Sequence, residues 1–284
     1  MEELRSHIEH LLSSPILNYR SLSGGSIAAV YQLETATGSL VLKTGKATAG
    51  EMFYAEANGL DLIRQTKTIA VPKVFDAGVK NDTAFLLMAY ISGKSPSSED
   101  EALLGTQLAN LHRCNAELFG LNHDNFIGSL AQKNSFASNW ADFFANQRLG
   151  VQLKLAQKKN LLQASEVPSI TMITSVLQSF CKNIKASLLH GDLWNGNFLI
   201  SRSGMPFLID PAVYYGHAEV DIAMSKLFGG FGSSFYESYH KWHPKTAFFK
   251  ERIDLYQLYY LLVHLNLFGR SYYNSVKRLL TTYF

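Results

Sequence analysis

Residues 188–211, LLHGDLWNGNFLISRSGMPFLIDP, constrain the fold most, because they place three polar groups at fixed spacing among apolar residues. Asp192 belongs to a His-Gly-Asp tripeptide, Asn197 follows five residues later, and Asp210 follows thirteen residues after that. Asp210 closes an apolar run, which predicts that its carboxylate lies at the end of a strand. The three side chains are therefore expected to come from two connected strands and the loop before them.

Two short apolar runs in this segment predict a β-hairpin. They are residues 198–200 and 207–209, and the Ser203-Gly204 pair between them is typical of a turn. Such a hairpin would bring Asn197 and Asp210 side by side at its open end. The alternative is a polar loop between two core strands that carries no chemistry. The complete set of three polar residues at this spacing disfavours that alternative.

The spacing resembles the protein-kinase catalytic loop, H-R-D-x-x-x-x-N, which a metal-binding Asp follows. In this chain the corresponding residues are His190, Gly191, Asp192, Asn197 and Asp210. A phosphoryl transfer needs a carboxylate that takes the proton of the attacking hydroxyl, and Asp192 fits that role. It also needs hard oxygen ligands for Mg²⁺, which Asn197 and Asp210 can supply.

The bulk composition disfavours a membrane span and a nucleic-acid surface. The 284 residues are 47% hydrophobic and 17% charged, as in a globular protein, and the net charge is only +3. No apolar run approaches 18 residues in length, so no membrane span is expected. The densest basic cluster has near-helical spacing, which indicates a solvated helix face. Its members are Arg148, Lys154, Lys158 and Lys159.

Cysteine usage and the N-terminal segment favour a reducing compartment. The sequence contains only two cysteines, Cys114 and Cys181, so no disulfide framework is implied. The N-terminal segment MEELRSHIEHLLSS is acidic and amphipathic, unlike a signal peptide. We expect a cytoplasmic protein and favour a monomer over an oligomer.

The first third of the chain changes from helix to strand periodicity. Residues 2–12 predict a short helix and residues 51–64 a longer one. Five strands are predicted, over residues 19–22, 27–33, 39–43, 71–78 and 84–91. Residues 92–98, rich in Ser, predict a linker, so that residues 1–91 form one lobe and residues 92–284 another.

Two features of the first lobe are typical of nucleotide contact. The loop Ser23-Gly24-Gly25-Ser26 could let backbone N–H groups approach a triphosphate, although an ordinary hairpin explains it better when it is taken alone. Lys43 ends an apolar strand, in the position of the kinase lysine that contacts the α- and β-phosphates. Glu56, on the apolar face of the next helix, is favoured over Glu51 as the partner of Lys43.

Beyond the linker the periodicity is helical. Helices are predicted over residues 99–112, 139–159, 171–182 and 253–268, and from about residue 218. His112 is expected to make a structural hydrogen bond. On position alone, the backbone of Met88, Ala89 and Tyr90 would lie at the hinge between the lobes, where an adenine edge could bind.

Five stretches resemble a known family. They are residues 52–60 (MFYAEANGL), 124–128 (DNFIG), 190–197 (HGDLWNGN), 210–231 (DPAVYYGHAEVDIAMSKLFGGF) and 265–269 (LNLFG). The His-Gly-Asp form is that of the small-molecule branch of the protein-kinase-like fold, which includes aminoglycoside and choline kinases. Together the five stretches look like the fructosamine kinase, or ketosamine-3-kinase, family. The resemblance runs from about residue 24 to residue 269, nearly the whole chain.

The resemblance implies an α+β, bilobal protein-kinase-like fold. The N-lobe would be a five-stranded antiparallel sheet with one main helix, and the C-lobe would be mainly helical. The implied reaction is ATP-dependent and Mg²⁺-dependent phosphorylation of the 3-hydroxyl of a ketosamine, a sugar rearranged onto an amine that is free or on a protein lysine. The 3-phosphate is unstable, which associates the family with protein deglycation. Ribulosamines and erythrulosamines are favoured over fructosamines.

The resemblance also implies roles for individual residues. The base is Asp192, the metal ligands are Asn197 and Asp210, the phosphate-side pair is Lys43 with Glu56, and the loop over the phosphates is Gly24, Gly25 and Ser26. That loop carries no cysteine, whereas some family members have one there, so redox control through it is not expected.

Other residues are candidates for the acceptor side of the site. Trp194, two residues after Asp192, is placed to wall the acceptor, with core packing as the alternative. Tyr214 and Tyr215 are weaker candidates for the same role. His190 and Asp221 are expected to give structural support, with Asp221 accepting backbone N–H bonds beneath the catalytic loop.

Two alternative functions stay open at this point. One is a kinase of another small hydroxyl compound, such as an amino sugar. The other is a pseudokinase that binds nucleotide or a partner without turnover. Pseudokinases usually lose the base, a metal ligand or the lysine, and all of these are present here.

Overall fold

The computed structural model describes residues 2–22 and 28–284. Its helices are α1 (Glu2–Leu12), α2 (Gly50–Thr66), α3 (Ser98–Leu111), α4 (Trp140–Phe144), α5 (Gly150–Lys158), α6 (Ile170–Phe180), α7 (Glu219–Leu227), α8 (Ser233–His240), α9 (Phe249–Phe268) and α10 (Tyr273–Tyr283). Its strands are β1 (Ile16–Leu22), β2 (Ala29–Thr35), β3 (Gly38–Lys46), β4 (Val74–Lys80), β5 (Thr83–Ala89), β6 (Gly93–Lys94), β7 (Asn115–Ala116), β8 (Asn125–Ile127), β9 (Leu130–Gln132), β10 (Ala186–Leu189), β11 (Phe198–Ser201), β12 (Pro206–Leu208) and β13 (Tyr214–Gly216). Within these described ranges, none of the helices combines the length and the apolarity of a membrane span.

The chain packs into two compact units, each built from two separate stretches. The first consists of Met1–Asp100 and Gly196–Pro211, and the second of Glu101–Asn195 and Ala212–Phe284. The first unit therefore includes the hairpin that carries Asn197 and Asp210. The predicted domain boundary between residues 91 and 92 stays a prediction.

The first unit contains the antiparallel five-stranded sheet that the sequence predicts, in the order β1-β2-β3-β5-β4. Strand β5 is buried from Ala84 to Met88, which explains why its sequence is uniformly apolar and does not alternate. Helix α2 packs against β4 and β5. The prediction of a five-stranded sheet with one main helix is confirmed.

Strand β4 departs from its predicted bounds. It begins at Val74, whereas the apolar pattern predicts a strand from residue 71. Pro72 lies between these positions and has no N–H to donate to a sheet ladder, so the strand starts after it.

Helix α1 covers one face of this sheet. Leu4 and Ile8 are buried in a cluster with sheet residues that include Leu42 and Phe85. Two polar contacts fix the turn into β1: the guanidinium of Arg5 donates to the Ile16 carbonyl at 2.8 Å, and the Ile16 N–H donates to Glu9 Oε1 at 2.9 Å. The predicted amphipathic helix at the N-terminus is therefore part of the core of this unit.

The predicted hairpin of residues 198–209 is confirmed. Strands β11 and β12 are antiparallel, with Phe198 opposite Leu208. The linker residues before α3 join this hairpin, because β6 pairs with β11 and the Arg202 N–H donates to the Ser92 carbonyl at 3.0 Å. The segment predicted as a linker is therefore partly a strand with bonds of its own.

The second unit is mainly helical and packs around α9. Residues of α9 from Arg252 to Asn266 are buried on most sides, so the helix lacks a broad polar face. A small sheet in the order β13-β10-β7 ends where the His-Gly-Asp loop begins. The helix predicted over residues 139–159 is interrupted by one wider π-helical turn at Ala145–Leu149, which divides it into α4 and α5.

Candidate active site

Lys43 joins two carboxylates in the first unit. Its Nζ atom donates to Glu56 Oε1 at 2.7 Å and also to Asp210 Oδ1. Burial alone would lower the pKa of Lys43, but the charges of Glu56 and Asp210 outweigh burial and raise the pKa above its ordinary value. The ammonium group is therefore charged at neutral pH, as a lysine that binds phosphates must be.

Glu56 is the α2 carboxylate that pairs with Lys43, as the apolar pattern of the helix favoured. Glu51 lies in the first turn of α2 and is exposed. Burial raises the pKa of Glu56, and the charge of Asp210 adds to the rise while Lys43 opposes it. Two carboxyl groups thus share one ammonium group.

Glu56→Gln is expected to lower kcat/KM for ATP by about tenfold. A neutral amide holds the Lys43 ammonium group less firmly and stabilises its charge less than a carboxylate does. Steady-state kinetics with varied ATP would measure this change. The matched control is Glu51→Gln in the same helix, which should behave like the wild type. Equal losses in both variants would contradict the pairing as a functional contact.

Asn197 and Asp210 flank the open end of the β11–β12 hairpin. The Ile209 N–H donates to the Asn197 carbonyl at 3.0 Å, which extends the ladder by one bond and aligns the two residues. Asp210 adopts a left-handed backbone conformation with φ of 54°, and this turns the chain out of the strand. The local sequence therefore places an amide oxygen and a carboxylate at one edge.

This donor set fits Mg²⁺. The ion prefers oxygen ligands and commonly uses one or two protein side chains together with substrate phosphates. In the described part of the chain, no cluster of three or more His, Cys, Asp or Glu side chains could hold a metal ion by itself. Asn197 and Asp210 are the residues that could take part in such a site.

The His-Gly-Asp loop of the second unit is fixed by the carboxylate of Asp221. The N–H groups of His190 and Gly191 donate to its two oxygens at 2.8 and 2.9 Å. The Nε2 atom of His112 also contacts the carboxylate, at 3.0 Å, and both side chains are fully buried. Asp221 thus accepts backbone bonds beneath the loop, as the sequence led us to expect, and His112 makes a structural bond.

The charge of Asp221 is stabilised by these donors. Burial would raise its pKa, but the hydrogen bonds from His112 and from the Gly191 N–H are among the effects that outweigh burial and lower the pKa. Because a carboxylate only accepts hydrogen bonds, His112 must carry its proton on Nε2. Its Nδ1 forms a hydrogen bond with the Tyr239 hydroxyl, at 2.8 Å.

Only glycine fits at position 191. Its φ of +85° lies in the left-handed region, and a Cβ atom there would lie 2.1 Å from the Ala212 carbonyl oxygen. The Ala212 N–H donates to the His190 carbonyl, and the Tyr260 hydroxyl donates to the Gly191 carbonyl, both at 2.8 Å. The loop before Asp192 is therefore held by backbone contacts on both sides.

Asp192 emerges from this fixed loop. Its N–H donates to Nδ1 of the buried His190 at 3.2 Å, so His190 orients the backbone from which the carboxylate projects. Asp192 itself is half-buried. A carboxylate on a rigid loop, still open to solvent, can act as a general base.

Other predicted nucleotide contacts are less well supported. Gly24, Gly25 and Ser26 lie outside the described residues, so their role stays a prediction. Met88 is buried in β5, the Ala89 N–H donates to the Lys73 carbonyl at 2.8 Å, and the Tyr90 N–H donates to the Ser39 carbonyl at 3.3 Å. The N–H groups of Ala89 and Tyr90 are thus already used, which disfavours them as donors to adenine.

The sequence comparison agrees with the geometry of both units. A sequence model of the fructosamine kinase family matches residues 1–284. The chain belongs to the fructosamine kinase family. An Enterococcus faecium protein named as a ketoamine kinase is 39% identical over 280 residues, covering 97% of this chain and 99% of that protein. The Arabidopsis thaliana protein named protein-ribulosamine 3-kinase, chloroplastic, is 38% identical over 276 residues. The match covers 95% of this chain and 84% of the plant protein.

Solved structures show the same fold. A crystal structure from Haemophilus somnus described as a fructosamine-3-kinase has a TM-score of 0.90 and 27% identity, and it covers 98% of this family member and 96% of its own chain. An aminoglycoside phosphotransferase, solved as a ternary complex with ADP and hygromycin B, has a TM-score of 0.65 at 14% identity, with 99% and 98% of the two chains covered. The aminoglycoside phosphotransferase therefore shares the kinase-like fold despite its low sequence identity.

The acceptor-side candidates of this fructosamine kinase family member differ in exposure. Trp194 is 39% exposed, Tyr215 is half-buried, and Tyr214 is fully buried. The ring of Tyr214 packs beneath the guanidinium of Arg148, 4.0 Å from ring centre to guanidinium carbon. Tyr214 is therefore better explained as a core residue, because its ring is closed to a substrate, and of the two tyrosines only Tyr215 stays a candidate.

Trp194→Ala is expected to lower kcat/KM for a ketosamine by about tenfold, through loss of a flat apolar wall against the sugar, without changing KM for ATP. Separate titrations of acceptor and ATP would measure the two effects. Phe136→Ala removes another exposed ring and serves as the control. A fall in melting temperature with no acceptor-specific change would instead support the packing role.

A buried polar network that the sequence patterns do not predict lies behind the catalytic loop. The Asn125 amide donates to the Val213 carbonyl at 2.7 Å, and the Gln132 amide donates to the Ala212 carbonyl at 3.3 Å. Because the Ala212 carbonyl oxygen packs against Gly191, the network supports the His-Gly-Asp loop from behind. Asn125 belongs to the DNFIG stretch, which was the available signal, but Gln132 stands outside every family-like stretch.

Proposed function

We propose that this protein is an ATP-dependent ketosamine-3-kinase, which transfers the γ-phosphoryl group of ATP to the 3-hydroxyl of a ketosamine. The observation that carries the proposal is the family match over the whole chain. The contact of Lys43 with both Glu56 and Asp210 supports it, because it is the arrangement that phosphoryl transfer needs on the nucleotide side.

On the acceptor side, Asp192 is proposed as the base. Its carboxylate accepts the proton of the 3-hydroxyl as that oxygen attacks the γ-phosphorus, and it aims the oxygen at the phosphorus. Asp221, His190 and Gly191 keep the loop in one conformation, so the carboxylate needs no rearrangement before the attack. Trp194 and Tyr215 are proposed to wall the sugar.

On the nucleotide side, Lys43 is proposed to bind the α- and β-phosphates while Glu56 orients its ammonium group. Asn197 and Asp210 are the proposed ligands of Mg²⁺. When bound, the ion would neutralise charge that develops on the phosphate oxygens. Gly24, Gly25 and Ser26 are proposed to cover the phosphates through their backbone N–H groups.

The names of the relatives support the choice of substrate. The plant relative is named for ribulosamine on protein, so we propose ribulosamines and erythrulosamines, free or on protein lysines, ahead of fructosamines. The ADP in the aminoglycoside phosphotransferase complex supports ATP as the donor. A kinase of amino sugars is not favoured by these relatives. We further propose that the protein acts as a monomer in a reducing cytoplasm, in keeping with its two free cysteines.

The test is release of ADP from Mg-ATP with three acceptors: a ribulosamine, a fructosamine and an aminoglycoside. We expect turnover on the ketosamines, fastest on the ribulosamine, and a product phosphorylated at the 3-position by phosphorus NMR. Turnover on the aminoglycoside alone would replace the proposal with an amino-sugar kinase. ATP binding without turnover on any acceptor would point to a pseudokinase.

A further inference from the structure

A group of cationic and aromatic side chains in the second unit has no role in the proposed chemistry. The Nζ atom of Lys226, on α7, lies 3.6 Å from the ring centre of Tyr236 on α8. One turn later on α8, the His240 ring lies 5.5 Å from the ring of Phe249. The Nζ atom of Lys245 lies over the same Phe249 ring, at 5.5 Å. We call these five residues the basic cluster.

The positive charge of the basic cluster is not neutralised within the described part of the chain. Neither Lys226 nor Lys245 takes part in any of the ion pairs found there. The Nε2 atom of His240 is buried and has no hydrogen-bond partner among the described residues. Burial lowers the pKa of Lys226, and the charge of Lys245 lowers it further, so the two lysines repel each other. An anion bound here would relieve that repulsion.

The basic cluster is linked to the acceptor side by the loop of residues 228–232. The Phe231 N–H donates to the Tyr236 hydroxyl at 3.2 Å, and the Gly230 carbonyl accepts from the Asn195 amide at 3.0 Å. Asn195 directly follows Trp194, the proposed wall of the acceptor. The loop therefore joins one end of the cluster to the residue next to the sugar wall.

We propose that the basic cluster binds acidic side chains that flank the ketosamine-bearing lysine of a protein acceptor. This inference rests on the proposed function and adds a preference for protein sequences with acidic neighbours. A free sugar–amine carries no flanking carboxylates that the cluster could bind. A peptide chain can place carboxylates on either side of the modified lysine.

A protein segment fits the basic cluster better than a nucleic acid does. Nucleic-acid binding depends on many phosphate contacts, commonly about 6–10 for strong binding to duplex DNA. The cluster offers the two charges of its lysines, because burial lowers the pKa of His240 and favours its neutral form. A few carboxylates in an extended segment match that number, and charge complementarity of this size adds specificity and encounter rate.

The test compares four acceptors that carry the same ribulosamine. Three are peptides with one modified central lysine flanked by acidic, neutral or basic residues, and the fourth is a small neutral free ribulosamine. The wild type is expected to prefer the acidic peptide, with a preference that weakens as salt is added. The double variant Lys226→Gln, Lys245→Gln should lose about three- to tenfold in kcat/KM on the acidic peptide alone.

The matched control is Lys154→Gln, Lys158→Gln, which removes the same charge from the exposed face of α5. It should keep the acidic preference. Because Lys226 is half-buried over Tyr236, the exposed single variant Lys245→Gln tests the cluster if the double variant is unstable. It should show a smaller loss of the same kind.

The failures of the two proposals are distinguishable. No turnover on the free ribulosamine would overturn the proposed function. Turnover on the free ribulosamine with equal rates on all three peptides would overturn only the docking proposal. An oligonucleotide that competes with the acidic peptide in the wild type, and not in the double variant, would assign the cluster to nucleic acid and also overturn it.

Discussion

Asp192→Asn is expected to lower kcat by about 10²- to 10⁴-fold, because an amide cannot take the proton of the attacking hydroxyl. The substitution keeps the size of the side chain. It also leaves the backbone bond from the Asp192 N–H to His190 Nδ1 in place, so the loop should keep its conformation. ATP binding, measured by calorimetry, should therefore be unchanged while single-turnover phosphorylation becomes slow.

Two comparison variants sharpen this result. Asp142→Asn removes one charge from the exposed first turn of α4 and should leave kcat unchanged. Asp210→Asn should weaken the binding of Mg-ATP as well as turnover, because Asp210 contacts Lys43 and is the proposed metal ligand. Turnover by Asp192→Asn at a rate close to wild type would rule out Asp192 as the base.

The hairpin and the Lys43 pairing could be predicted because their determinants are local. Apolar runs around Ser203-Gly204 specify the β11–β12 hairpin, and the hairpin alone fixes Asn197 against Asp210. Glu56 could be chosen over Glu51 because one helix face decides which carboxylate points toward the sheet.

The supports of the His-Gly-Asp loop could not be predicted in the same way, because they depend on contacts distant in sequence. His112 and Asp221 are 109 residues apart, and the Gly191 carbonyl accepts from a tyrosine 69 residues away. Family resemblance gave Asp221 a supporting role. Periodicity gave no reason to pair it with His112.

Tyr214 and Arg148 show another limit of sequence patterns. The sequence suggests a substrate wall at Tyr214 and a solvated helix face at Arg148, yet both residues are fully buried. The π-helical turn between α4 and α5 contains Arg148, whose guanidinium donates to the Lys133 carbonyl and to Asn134. Helical spacing assumes regular turns, so a single wide turn changes which residues face the core.

Asp221→Ala is expected to lower the free energy of unfolding by about 3–5 kcal/mol. The change removes one carboxylate that satisfies three donors: the N–H groups of His190 and Gly191 and the Nε2–H of His112. All three donors would stay buried without that acceptor, which is the costly case for hydrogen bonds. Urea unfolding at neutral pH would measure the loss.

Two further variants test whether loss of the buried acceptor is the cause. Asp221→Asn keeps the shape and one acceptor oxygen, so it should lose less stability than Asp221→Ala. Glu237→Ala changes an exposed carboxylate on α8 and should stay within about 0.5 kcal/mol of wild type. A loss in Glu237→Ala as large as in Asp221→Ala would show that burial of the acceptor is not the cause.

The contact between Asp221 and His112 can be isolated by a double-mutant cycle. His112→Phe removes the donor and keeps a ring, so adding Asp221→Ala to it should cost less than Asp221→Ala costs in the wild type. The part of the loss that remains belongs to the His190 and Gly191 N–H groups. Because those groups fix the loop before Asp192, variants that still fold at low temperature should also show reduced kcat, with binding of ATP retained. Full kcat in folded Asp221→Ala would show that the carboxylate stabilises the unit without positioning the base.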